Sequence, residues 1–169
     1  MTGRSPVSLI RALGSAEIDY VVIGDFAAIS YGVGRARNVL EVCPAADRPN
    51  LERRARCLVG LEVVQLGLGP SGDDELVLDP ARAEDLATGV NFRVRTARGD
   101  LDVTQYVAGV DAEHAYEALA ADAVDAEVEG VPVRIASLAQ LRAMKRAAGR
   151  PQDLQDLADL AIAHPDEPG

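Results

Sequence analysis

Hydrophobic positions along this chain fall in short runs, and their spacing switches between the period of a helix and that of a strand. Leu9, Ile10 and Leu13 form a helical stripe over 6–16, with Ser5 placed to cap it and Pro6 suited to its first position. "DYVVIG" (19–24) reads as a strand ending at Gly24. "DFAAISYG" (25–32) reads as a short helix, with Asp25 a candidate N-cap and Gly32 its stop. After the loop "GVGRAR", "NVLEVC" (38–43) is a second strand ended by Pro44. A helix over 48–59, a strand over 61–66 and a Gly-rich loop follow, with "ELVLD" (75–79) as a hairpin arm. "VNFRVRTA" (90–97) alternates with period two, "GDLDVTQYV" (99–107) is another strand, and a helix covers 111–122. "AEVEGVPVRIA" (126–136) is a hairpin turning at Glu129-Gly130. Two helices close the chain. The first is capped by Ser137, carries Leu138, Leu141 and Met144, and stops at Gly149; the second opens at Pro151 and carries Leu154, Leu157 and Leu160, before a frayed tail. This order predicts an α/β (α+β) fold with a mixed sheet, in one domain over 1–169, its core over 6–136 and a C-terminal helix pair over 137–163.

Composition narrows the chemistry. The chain has 169 residues, 48% apolar and 26% charged, enough for a real core and too apolar for general disorder. Its formal net charge is −10, so overall charge gives no footprint for nucleic acid. The Arg-rich stretches 35–37, 53–56 and 142–150 are either a local basic patch or solvated helix faces. Aromatics at 4%, with no Trp, argue against a base-stacking platform. Cys43 and Cys57 lack the spacing of a zinc site, and His114 and His164 lack a nucleophile partner. No secretory leader and no membrane-length apolar run occur, and a reduced cytoplasmic compartment is expected.

Carboxylates inside strand patterns carry the functional question. A carboxylate in a sheet is costly unless it is paired or holds a metal. Strand alternation puts Glu41 on one face with Val39 and Cys43, and Asp100 with Asp102 on one face of a later strand. With the strand-to-helix junction at Gly24-Asp25, these positions suit Mg²⁺-dependent phosphoryl chemistry.

Two stretches, "YVVIGDFAAISYGVGRARNVLEVCP" (20–44) and "SLAQLRAMKRAAGRPQDLQDL" (137–157), resemble the nucleotidyltransferases related to AbiEii toxins and to minimal nucleotidyltransferases. The resemblance implies a polymerase-β-like fold. It also implies transfer of a nucleotide from a nucleoside triphosphate to RNA or protein, with Mg²⁺ as cofactor, often within a toxin–antitoxin pair whose antitoxin is a protein partner. That family reads Gly-Gly/Ser, a short helix, then Arg-x-Thr-x-Asp-Leu-Asp. Its first small residue falls on Gly24 and its Arg on Arg35; a third carboxylate falls on Asp102, and the closing element on Lys145, Arg150, Asp153 and Asp156. The departures are equally plain. Asp25 stands in place of the second small residue, Arg37 of the threonine, Val39 of the first strand aspartate and Glu41 of the second.

The resemblance thus assigns Glu41 and Asp102 to metal, Lys145 to catalysis, and Gly24, Asp25, Arg35, Lys145, Arg150 and Asp153 to the nucleotide. It also implies a weakened or lost activity, because one carboxylate of the pair is missing. Plainer roles stand beside these: Asp25 as a helix cap, Asp100 as a turn residue, Lys145 as a snorkelling surface lysine, and Arg150 with Asp153 as fasteners of the helix corner.

Overall fold

A computed structural model describes residues 3–35, 37–67, 79, 81–89, 91–111, 113 and 115–167. The elements in chain order are α1 (Pro6–Ser15), β1 (Tyr20–Ile23), α2 (Gly24–Ser30), β2 (Val39–Pro44), α3 (Arg48–Gly60), β3 (Val64–Gly67), α4 (Ala83–Leu86), β4 (Phe92–Thr96), β5 (Gly99–Val103), α5 (Ala115–Asp122), β6 (Val124–Val128), β7 (Val131–Ile135), α6 (Leu138–Ala148) and α7 (Pro151–Ala163). The strands form a seven-stranded sheet in the order β3-β4-β5-β2-β1-β7-β6. β2 runs parallel to β5, and β1 parallel to β7; the other pairs are antiparallel.

Register divides the central strands into two chemically distinct faces. Paired positions point to the same side of a sheet. Ile135, Val22, Val42, Val103 and Phe92 therefore form one apolar row, and Leu40, Leu101 and Val94 another beside it. α1 and α3 cover this face with Leu9, Leu13, Leu51 and Leu58, all buried. On the opposite face, Ile23, Glu41, Asp102 and Arg93 share a row, and Val39, Asp100 and Arg95 share the next. The alternation in β4, with Phe92, Val94 and Thr96 buried and Arg93 and Arg95 exposed, shows that this second face is open near β4 and β5.

Asn50 ties three of these elements together. It is fully buried. Its Nδ2 donates to the carbonyls of Asp19 (3.0 Å) and Ala45 (2.8 Å), and its Oδ1 accepts from the Asp19 N–H (2.8 Å). The start of β1 and the end of β2 are thus stitched to the first turn of α3, whose own cap is Asp47.

Several boundaries and faces differ from the sequence reading. The third strand starts at Val64 rather than at 61, because Leu61 caps α3 and Glu62 turns the chain with φ 53°. β5 ends at Val103, four residues early, where the chain bends. The hairpin arm expected at 75–79 and His114 lie outside the described residues, Asp79 apart. α7 buries Asp153, Asp156 and Leu160 rather than a Leu154–Leu157–Leu160 stripe; Leu154 is exposed. The tail is not frayed over 164–167. Arg142 donates to the carbonyls of Leu160, His164 and Glu167, and the His164 ring lies 2.8 Å from the Tyr31 carbonyl oxygen. Arg54 and Arg142 are buried, so their stretches are not wholly solvated faces.

Replacing Asn50 with Ala leaves two carbonyls and one N–H without their partner. Each such buried group costs about 1–3 kcal/mol. Asn50→Ala is expected to lower the unfolding free energy by at least about 2 kcal/mol in urea denaturation. A loss within the scatter of surface substitutions would show that the stitch carries no weight.

Candidate functional site

The carboxylate of Glu41 rests against the backbone at the start of α2. Gly24 has φ +67°, and a Cβ there would overlap the Glu41 carboxylate. Glycine is required twice, for the backbone angle and for the space. Asp25 follows in the first turn of α2, but it does not cap the helix: Ile23 occupies the cap position, and no side chain bonds there. The Asp25 carboxylate instead turns to two cations. Its Oδ1 accepts from Lys145 Nζ at 3.1 Å, and its Oδ2 lies 2.8 Å from Arg37 Nε.

Lys145 is the centre of this end of the cleft. It is 4% exposed, so it is a buried ammonium and not a snorkelling surface lysine. Its Nζ lies 2.6 Å from Asp156, 3.1 Å from Asp25 and 3.5 Å from Asp153. Burial alone would pull its pKa down, but hydrogen bonds to Asp156 and Asp25 outweigh burial and hold it above the ordinary lysine value. Arg150 donates to Asp153 from its backbone N–H (3.1 Å) and from its guanidinium (2.7 and 3.2 Å). These bonds fix the α6–α7 corner and leave most of the Arg150 side chain exposed.

Asp102 sits beside Glu41 in register across the parallel β2–β5 pair. Arg93, opposite Asp102 on β4, grips both of its oxygens, at 2.5 and 2.6 Å. Asp100 is no mere turn residue; it lies within β5 and meets Arg4 (2.8 Å) and Arg95 (3.3 Å). Glu41 is the exception, with no cation this close among the described residues. Desolvation by burial pushes its pKa up, and the charges of Asp25 and Asp102 push the same way, against the pull of Lys145 and Arg150.

Gly24, Asp25, Glu41, Asp102, Lys145, Arg150 and Asp153 therefore gather at one cleft. Arg35 stands exposed in the loop between α2 and β2. Arg93 belongs to the same cleft and was missed in the sequence reading. Its signal was the period-two "FRVRT", which sets Arg93 and Arg95 on one polar face ready to meet "GDLD".

A divalent cation fits this arrangement poorly. Mg²⁺ demands near-octahedral oxygen ligands. Both oxygens of Asp102 are engaged by Arg93, and those of Asp25 by Lys145 and Arg37. Val39 offers no oxygen in the row beside Glu41, and among the described residues no group of three His, Cys, Asp or Glu side chains is placed to hold a metal. Guanidinium and ammonium groups stand where a metal's charge would be needed.

Comparison with solved structures places this architecture. The chain superposes on the solution structure of the antibiotic-resistance factor ANT(2'')-Ia with a TM-score of 0.57 at 15% sequence identity, covering 93% of this chain and 83% of that one. The chain thus has a mixed α/β fold like that of this nucleotidyltransferase-like neighbour. Neither protein-family profiles nor curated protein sequences gave a match. Within the nucleotidyltransferase-like fold, the pairing of β2 with β5 brings Glu41 and Asp102 side by side, and α6 and α7 close on the start of α2. No helix among the described residues is long and apolar enough to cross a membrane.

The raised pKa of Glu41 has a defined consequence. The folded protein holds this proton more tightly than the unfolded chain does. The resulting stability is fully present below the ordinary carboxylate value of 4.5 and is lost as pH rises through the folded-state pKa. Glu41→Gln is expected to be more stable than the parent at pH 7, with the gap closing as pH falls below 4.5. Thermal unfolding across that range checks it; a parent equal to the variant at pH 7 would show that Glu41 ionises without strain.

Proposed function

We propose that this chain is a single nucleotidyltransferase-like domain in which nucleotide transfer is weakened or lost. On this reading its descent is from the toxin–antitoxin-associated nucleotidyltransferases related to AbiEii, and it acts in the cytoplasm through a protein partner such as an antitoxin. The observation that carries the reading is the charge pairing in the cleft. Asp102 is held bidentately by Arg93, and Asp25 by Lys145 and Arg37. Asp102 is a carboxylate that Mg²⁺ would need free, and Asp25 puts negative charge where a triphosphate would sit.

The replacement at position 39 points the same way. Val39 lies next to Glu41 along β2 and opposite Asp100 on β5, where the resembling family has its first aspartate. Glu41 keeps a carboxylate but carries it one methylene further out, against Gly24. Lys145 and Arg150 remain at the positions where that family meets nucleotide. Here Lys145 is occupied by three in-chain carboxylates, and a triphosphate would have to displace them. The exposed part of Arg150 and the free loop position of Arg35 are the contacts left for a nucleotide phosphate.

The test is incubation of the full chain with each labelled nucleoside triphosphate, Mg²⁺ or Mn²⁺, total RNA and cell extract. No label is expected on RNA or protein, and calorimetry should detect no Mn²⁺ binding by the parent. Val39→Asp combined with Arg93→Gln restores a second carboxylate and frees Asp102, and should gain Mn²⁺ binding. Label transferred by the parent would overturn the reading in favour of an active, rearranged Mg²⁺-dependent enzyme using Glu41 and Asp102.

A further inference from the structure

Arg54 lies on the side of α3 that faces the sheet and is 3% exposed. Neither of its terminal nitrogens, Nη1 and Nη2, has a hydrogen-bond partner among the described residues. The side chain lines a small, mainly apolar cavity of about 20 Å³ between α1, α3 and the apolar sheet face, walled by Leu13, Tyr20, Val42, Leu58, Leu101 and Val103. Other buried cations of the chain are matched: Lys145 by carboxylates, Arg142 by three carbonyls.

A guanidinium carries five N–H donors and no acceptor, so only an acceptor can satisfy it. The aliphatic side chains of the wall supply none, and the Tyr20 hydroxyl makes no hydrogen bond to either terminal nitrogen. Nor, among the described residues, does a carboxylate compensate the charge: the titratable group that acts on Arg54 is Cys43, whose thiol burial pushes up to about 12 and so keeps neutral. Burial pulls Arg54 down to about 10, which still leaves it cationic at neutral pH. A water molecule in the cavity would accept a hydrogen bond but leave the charge unbalanced. A small anion answers both needs.

Size selects among anions. One water needs about 10–15 Å³ by this measure, and the cavity slightly exceeds that. A monatomic halide fits; a phosphate or an organic carboxylate does not. We propose that Arg54 forms a buried site for one monovalent anion of the halide class, inserted between α3 and the sheet on the side away from the nucleotidyltransferase cleft.

Bromide is the probe. Crystals of the full chain soaked in sodium bromide are expected to show an anomalous peak within hydrogen-bond reach of the Arg54 guanidinium. In solution, thermal unfolding in sodium bromide or chloride should run higher than in sodium gluconate at equal ionic strength. That halide-specific rise should vanish in Arg54→Met, which keeps the length of the side chain and removes its charge. A cavity without an anomalous peak, together with equal salt responses of parent and Arg54→Met, would overturn the proposal and leave the guanidinium to water. If Arg54→Met does not fold, the anomalous map of the parent decides alone: a peak at Arg54 supports the site, and its absence overturns it.

Discussion

A buried ammonium has to be paired, and the pairing of Lys145 organises the functional half of this molecule. Removing one partner of a buried ion pair typically costs about 3–5 kcal/mol, because the remaining charge is left in a low-dielectric site. Lys145 comes from α6, two of its partners, Asp153 and Asp156, from α7, and the third, Asp25, from α2. The ammonium therefore fixes the C-terminal helix pair to the element that begins the cleft. Asp153 also accepts from Arg150, so the same carboxylate closes the corner between α6 and α7. Burial disfavours the ionised Asp153 carboxylate, and the Arg150 hydrogen bonds outweigh this and hold its pKa below the ordinary value.

Much of this was legible in the sequence, and the reason is periodicity. Strand alternation placed Glu41 and Asp102 on definable faces, and the parallel register of β2 and β5 made them neighbours. What single-chain patterning could not supply was Arg93 gripping Asp102. That pair depends on which strand lies next to β5, and adjacency is a property of topology, not of local pattern. The helix pair misled for a different reason. Leu138, Leu141 and Lys145 follow helical spacing on one side of α6, and Asp153, Asp156 and Leu160 do so on α7. A stripe read by hydrophobicity alone follows Leu154 and Leu157 and misses it, because its inner end is ionic. Buried charges that are matched across two helices look polar in each helix taken singly.

The acidic face of the cleft is paired with cations from the neighbouring strand. Asp100 and Asp102 on β5 meet Arg95 and Arg93 on β4, residue for residue. Exposed pairs of this kind contribute little to stability, about 0–1 kcal/mol each. Their effect on ligand binding is larger than their effect on folding. A bidentate guanidinium occupies the lone pairs that a cation would use, and a metal must displace it before it can bind. Among the described residues Glu41 has no such close cation. Asp25 and Asp102 keep a like-charge field on it while burial strips its water, so it is the least comfortable ionised group of the row.

The two faces of the central sheet thus handle buried charge in opposite ways. On the open face, the described cations of the cleft are answered by carboxylates of this chain: Arg37 by Asp25 of α2, Arg93 by Asp102 of β5, and Lys145 and Arg150 by Asp156 and Asp153 of α7. On the covered face, Arg54 has aliphatic neighbours and no such answer within the described residues. A guanidinium surrounded by Leu and Val cannot be a relic of solvation, because α1 and α3 close over it, and it cannot shed its proton at neutral pH, since it still titrates only at about 10. Among the described residues no carboxylate answers this guanidinium, and the proposed halide would supply the missing charge. The cleft, by contrast, meets its cations with carboxylates of this chain. The difference lies in access to water, because α1 and α3 cover the face that holds Arg54 while the cleft face is open near β4 and β5.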